Sequence, residues 1–187
     1  MNSRFEIVET ALDRLKILQR LPTGDERGFF ERLYCESELA ELLAGRHIVQ
    51  VNRTITARQG SVRGLHFQWP PHAETKFVAC VRGEVFDVAI DLRQGSSTFL
   101  KWHGEVLSDS NHRTMVIPEG FAHGFQTLSD DCEMLYLHTA SYHPESEDGL
   151  NALDPALAID WPLGIGERSA RDTALPLLAS TFPGVVL

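Results

Sequence analysis

Residues 84–92 read Glu84-Val85-Phe86-Asp87-Val88-Ala89-Ile90-Asp91-Leu92. Phe86, Val88, Ile90 and Leu92 alternate with Val85, Asp87, Ala89 and Asp91. Successive side chains of a strand point to opposite sides, so this period of two predicts a β-strand with one firmly apolar face. Shorter runs of the same kind lie at 47–56, 61–67, 76–81, 113–117, 124–128 and 133–139, separated by turn signals at Arg82-Gly83, Gln94-Gly95, Pro118-Glu119-Gly120 and Ser129-Asp130-Asp131. Many short strands at this spacing predict an all-β sandwich or barrel rather than an α/β fold. One helix is expected upstream, capped by Ser37, with Glu38 in its first turn, an apolar stripe of Leu39, Leu42 and Leu43, and a stop at Gly45. From Asp154 the chain is rich in Pro, Gly and small residues. A short helix is expected near Ala170, and this C-terminal stretch is expected to wrap the β-core.

The 187 residues fit one domain and suffice to bury a core. With 43% hydrophobic and 23% charged residues, and no repeat or biased tract, the composition is that of an ordinary globular protein. No apolar run approaches the roughly 20 residues of a membrane-spanning helix. Residues 1–9 carry two acids and no apolar segment, so no signal peptide and no membrane partner are expected, and the cytoplasm is the expected location. A net charge of −9 argues against general affinity for nucleic acid, which rests on neutralising phosphates. Any anion site must therefore be built from a few converging cations. Cys35, Cys80 and Cys132 form neither a metal spacing nor a disulfide framework, and Cys80, inside an apolar run, reads as a small buried hydrophobe.

The residues that could carry chemistry cluster after Gly60. In the run 61–67 the period of two predicts that His66 shares a face with Val62 and Gly64, with Gln68 next in line. Glu74 and Lys76 follow, and a second segment reads Pro118-Glu119-Gly120-Phe121-Ala122-His123. Together they resemble the two histidine-bearing motifs of the cupin superfamily, whose first motif has a His-x-His pair and a Glu. Gln68 stands where the second His of that pair would be. A divalent-metal site needs three or four good ligands, and His66, Glu74 and His123 alone remain, so no bound metal is expected. A metal-dependent cupin enzyme on those three residues is the alternative.

A longer similarity surrounds these motifs. Arg63-Gly64-Leu65-His66-Phe67-Gln68, Pro70-Pro71, Lys76, the Gly83–Val88 run and Ile117-Pro118-Glu119-Gly120-Phe121-Ala122-His123-Gly124-Phe125 resemble the dTDP-4-dehydrorhamnose 3,5-epimerases. So do Asp25-x-Arg27-Gly28-Phe29-Phe30, Gln50-x-Asn52, Leu107-Ser108-x-x-Asn111, Tyr136, Tyr142-x-Pro144-Glu145-x-Glu147, Asp154-Pro155, Trp161-Pro162 and Asp172, all in order. The resemblance covers nearly the whole chain. It implies a cupin-type jelly roll and an isomerase acting on a nucleotide-linked 4-keto-6-deoxy sugar.

The chemistry explains the residue types. A ketone at carbon 4 makes the protons at carbons 3 and 5 weakly acidic. Removing one needs a base, the enolate needs a cation or donor at its oxygen, and inversion needs an acid on the opposite face; no metal or organic cofactor is required in principle. By the resemblance His66 is the base, Asp172 orients it and raises its basicity, Lys76 meets the oxyanion and Tyr136 returns the proton. Arg63 and His123 would hold the pyrophosphate. Arg27 and Phe30 belong to an N-terminal segment that the family exchanges between two subunits of a homodimer, and Arg27 would reach the nucleotide end. Gln50, Asn52 and Glu147 would fix sugar and ribose hydroxyls, Tyr142 would stack on the base, and Arg171 replaces a usual Lys. Two departures stand out. The family has Glu five residues after the Arg of its Arg-Gly-x-Phe motif, where this chain has Arg32, which leaves the nucleotide open. Leu137 replaces a common Lys. An epimerase of carbon 3 or carbon 5 alone, and a sugar-nucleotide binding module without catalysis, are further alternatives.

Overall fold

The computed structural model describes residues 3–187. In chain order the strands are β1 (Phe5–Glu9), β2 (Lys16–Arg20), β3 (Thr23–Asp25), β4 (Gly28–Phe30), β5 (Gln50–Thr56), β6 (Val62–Gln68), β7 (Lys76–Arg82), β8 (Glu84–Asp91), β9 (Trp102–Ser108), β10 (Arg113–Ile117), β11 (Phe121–Thr127), β12 (Cys132–His138) and β13 (Glu147–Gly149). They form a six-stranded sheet, β1-β2-β10-β7-β12-β5, a five-stranded sheet, β13-β6-β11-β8-β9, and the separate hairpin β3-β4. Neighbouring strands pair antiparallel throughout. This is the all-β sandwich that the alternation predicted, of the cupin-like kind that the resemblance implied.

The core between the sheets joins Ile17, Val78, Met115 and Met134 of the larger sheet to Val85, Ala89, Leu107, Phe121 and Phe125 of the smaller. Strand β8 is apolar on both sides, but its two faces do different work. Val85 and Ala89 point inward with Asp87 and Asp91 in the same alternation. Val88, Ile90 and Leu92 point outward onto a second cluster with Leu150, Leu157, Trp161, Phe182 and Val185. The firmly apolar face is therefore the one the C-terminal stretch wraps, and each buried aliphatic or aromatic side chain there stabilises the wrap by roughly 1.5–3 kcal/mol. Hydrogen bonds fasten it as well, Gly166 N to Gly60 O at 2.7 Å and Trp161 Nε1 to Ala152 O at 2.9 Å.

The upstream helix is shorter than its sequence pattern suggests. α1 spans Ala40–Leu43 and has no side-chain cap. Ser37 instead contacts Cys35 Sγ, and the Glu38 carboxylate accepts from the Arg4 amide and pairs with Arg32. Leu39 and Leu43 still pack down, onto Phe77, Val116 and Leu137 on the outside of the six-stranded sheet. α2 spans Ala170–Thr173 and is capped by Ser169, whose hydroxyl accepts from Asp172 N at 2.9 Å. Strand β9 was hidden in the sequence because Gly104 interrupts it. The Phe86 ring of the neighbouring strand occupies the space a side chain at 104 would need. No helix among the described residues is long and apolar enough to cross a membrane.

Candidate active site

The two sheets enclose a cavity of about 780 Å³, within the range of small-molecule sites. Arg63, His66 and His123 enter it from the five-stranded sheet, and Gln50, Asn52, Lys76 and Tyr136 from the six-stranded sheet. Tyr142, Glu147, Arg171 and Asp172 complete the lining from later segments. Every residue the sequence nominated for the site is thus in one place, except Arg27 and Phe30. Those two lie on the exposed hairpin β3-β4, where Arg27 is 86% exposed and pairs with Asp25.

A break in strand period aims His66. Val62, Leu65 and Phe67 all belong to the outer cluster, so the alternation slips between Val62 and Leu65, and His66 does not share a face with Val62 as expected. The slip occurs at Gly64, with φ of +102°, opposite a register shift between His123 and Phe125 in β11. A Cβ at 64 would lie 2.6 Å from His123 O and 2.7 Å from Gly124 Cα, so only glycine fits.

His66 Nε2 lies 2.8 Å from Asp172 Oδ1, while Asp172 Oδ2 accepts from Gly64 N at 3.2 Å. Asp172 is nearly fully buried. Because the carboxylate accepts, the imidazole presents N–H at Nε2 and keeps its lone pair at Nδ1. Burial lowers the His66 pKa below its ordinary value, and the opposing pull of Asp172 offsets this only in part. Asp172 raises the pKa as the resemblance implied, but desolvation outweighs it, and the neutral imidazole prevails at neutral pH.

Tyr136 approaches from the opposite sheet. Its hydroxyl is 3.5 Å from Thr54 Oγ1, and its ring meets His123 edge-on at 6.1 Å. Burial pushes its pKa well up, so the phenol holds its proton across the physiological range. Lys76 Nζ sits 3.2 Å from Glu74 Oε1. At the mouth, Tyr142 donates to Glu147 at 2.6 Å, Arg171 pairs with the same carboxylate at 2.6 Å, and Gln50 Oε1 accepts from Tyr142 N at 3.0 Å. Arg63 is exposed and has no ion pair among the described residues, which leaves its guanidinium available to an anion.

Two buried pairs escaped the sequence reading. Asp87, fully buried, holds His123 Nε2 at 2.7 Å, and Glu74 Oε2 holds His138 Nδ1 at 2.7 Å. Asp87 carried a usable signal, since an acid on the inward alternation of a core strand is rarely buried without a partner. The pairs also bear on the metal alternative. His66, Glu74 and His123 are each bonded to a different partner and do not converge. Among the described residues, the three ligand atoms that approach within 4.8 Å of one another belong to His72, His143 and Glu145, outside the cavity. Arg32, the departure from the family pattern, is taken by Glu38, and Glu31 by buried Arg20 and His112.

Comparison with known proteins agrees with this geometry. The family model described as dTDP-4-dehydrorhamnose 3,5-epimerase matches residues 9–180. The chain is 46% identical over 175 residues to the dTDP-4-dehydrorhamnose 3,5-epimerase of Salmonella typhimurium, covering 92% of this chain and 94% of that one. It is 44% identical over 158 residues to a dTDP-4-dehydrorhamnose 3-epimerase of Streptomyces niveus, covering 83% and 75%. Among solved structures it resembles the dTDP-6-deoxy-D-glucose-3,5-epimerase of Legionella pneumophila in complex with dTDP-4-keto-L-rhamnose. That match has a TM-score of 0.88 at 45% identity and covers 92% of each chain.

Proposed function

The chain belongs to the dTDP-4-dehydrorhamnose 3,5-epimerase family, and from that premise we propose that it is an isomerase converting dTDP-4-dehydro-6-deoxy-D-glucose to dTDP-4-dehydro-L-rhamnose. The observation that carries the reading is the placement of a base and an acid on opposite sheets of one cavity: the His66–Asp172 pair on one side, the Tyr136 hydroxyl on the other, with Lys76 in the same lining.

The neutral His66 takes the proton from carbon 3 or carbon 5 through Nδ1, and Asp172 stabilises the imidazolium that forms. Electron density moves onto the ketone oxygen, where the Lys76 ammonium meets it. Tyr136 delivers a proton to the opposite face of the same carbon, inverting it. A proton leaves and a proton returns, so the step balances without oxidant or reductant, and no cofactor is assigned. Arg63 and His123 hold the pyrophosphate, Gln50, Asn52 and Glu147 take hydroxyls, and Tyr142 stacks on the base, tethered through Glu147 to Arg171.

Arg27 and Phe30 enter this scheme only through a second copy. The hairpin carrying them is exposed, with Phe29 and Phe30 at 64% and 60%, which supports a homodimer in which each hairpin reaches the partner's cavity. The working location is the cytoplasm. The test is direct. Incubation with dTDP-4-keto-6-deoxyglucose in deuterated water should exchange both carbon positions in the wild-type NMR spectrum, and none in His66→Ala. Undiminished exchange in His66→Ala would refute the base assignment. The Streptomyces niveus relative, a 3-epimerase, favours a second reading in which only carbon 3 is inverted; exchange confined to carbon 3 would select it.

A further inference from the structure

His138 takes no part in the scheme above, yet it is buried in the same lining. On strand β12 it stands cross-strand from Lys76 on one side and Gln50 on the other. Its Nδ1 lies 2.7 Å from Glu74 Oε2, and the other oxygen of that carboxylate holds the Lys76 ammonium at 3.2 Å. Its Nε2 lies 3.4 Å from Asn52 Nδ2, and its ring stacks on Tyr136 at 6.2 Å with an interplanar angle of 23°.

We propose that His138 is a positioning residue: through Glu74 it aims Lys76 at the substrate's ketone oxygen, and through Asn52 it sets the orientation of a sugar-binding amide. The inference deepens the epimerase reading and rests on it. Its physical basis is the donor and acceptor count. An ionised carboxylate can only accept, so Nδ1 must donate to Glu74. Asn52 Nδ2 can only donate, so its contact with Nε2 uses the amide N–H and leaves the Asn52 carbonyl oxygen for a hydroxyl. Glu74 is ionised: burial opposes its charge, but the His138 and Lys76 contacts outweigh burial and keep its pKa below the ordinary value. A lysine is a compact charge on a flexible four-carbon stem and does not aim itself. Glu74, held by one oxygen only, could swing with it. The second bond from His138 removes that freedom.

The test compares wild type with His138→Ala, His138→Asn and Glu74→Gln, measuring deuterium incorporation from dTDP-4-keto-6-deoxyglucose, kcat, KM and melting temperature. Asparagine places an N–H near the position of Nδ1 and should keep the clamp. The inference expects kcat to fall by about 10²-fold in H138A, as for a misplacement of about 1 Å at a reacting group, with KM moving far less, and H138N to recover most of the loss. A merely structural histidine would lower the melting temperature without that split or that rescue. If H138A does not fold, H138N near wild type with E74Q slowed by about 10²-fold supports the inference, and E74Q at the wild-type rate overturns it. Wild-type turnover in folded H138A, or H138N as slow as H138A, also overturns it while the epimerase reading stands. An inert wild-type chain would sink the epimerase reading and this inference with it.

Discussion

Asp172 reaches back from the C-terminal wrap to His66 on strand β6, with Nε2 and Oδ1 2.8 Å apart. The Asp172 end of this contact is fixed: Gly64 N and the helix cap of Ser169 hold the carboxylate and its backbone, and Arg168 donates to the Asp172 carbonyl at 2.7 Å. A segment that looks loosely structured in sequence therefore supplies a rigid half of the proposed base.

Removing that partner should change rate and pH profile together. In wild type the acid limb of kcat/KM should lie below pH 6.5, because burial lowers the His66 pKa from its ordinary 6.5 and the base works only when unprotonated. Asp172→Asn removes an influence that raises the pKa, so the limb should move further down while turnover falls by about 10²-fold. A limb that moves up in Asp172→Asn would contradict the assignment.

Tyr136→Phe separates proton removal from proton return. With the phenol gone, His66 can still take a proton and hand back a deuteron on the same face. Deuterium exchange should persist while epimerised product falls by about 10²- to 10⁴-fold. In wild type the raised pKa of Tyr136 places any alkaline limb it causes above pH 10, its ordinary value. Loss of exchange and product in equal measure would assign Tyr136 elsewhere.

Gly64→Ala tests the slip in β6. The added methyl meets backbone at His123 and Gly124 and demands a left-handed φ of a residue with a side chain. A loss of about 1–3 kcal/mol is expected in chemical unfolding, with activity lost as His66 is re-aimed. Wild-type stability and activity together would mean the slip is dispensable.

Arg27→Ala should leave the melting temperature unchanged, since among the described residues Arg27 pairs only with Asp25, at the surface. If the hairpin serves the partner's cavity, KM should rise about tenfold or more with little change in kcat. An unchanged KM would remove Arg27 from the substrate site.

How much of this was legible beforehand depends on the range of the interaction. The period of two in 84–92 is local, and it was enough to predict strands, a sandwich and an apolar face on β8. The collinear motifs likewise brought out residues that line one cavity, because order and spacing along the chain carry that information. The sequence alone could not place what depends on approach between distant segments. It set His66 on the face of Val62, since the slip at Gly64 is dictated by the backbone of β11 across from it. It showed the upward pull of Asp172 on His66 but not the desolvation that outweighs it, which is a property of the closed sandwich. It had no means to pair Asp87 with His123 or Glu74 with His138, residues 36 and 64 positions apart that meet only when the strands align. The sequence determined which side chains are available for the chemistry, through short-range pattern and motif order. The tertiary structure decided which way they face and what charge each carries, because burial and hydrogen-bond partners exist only once the sheets have closed.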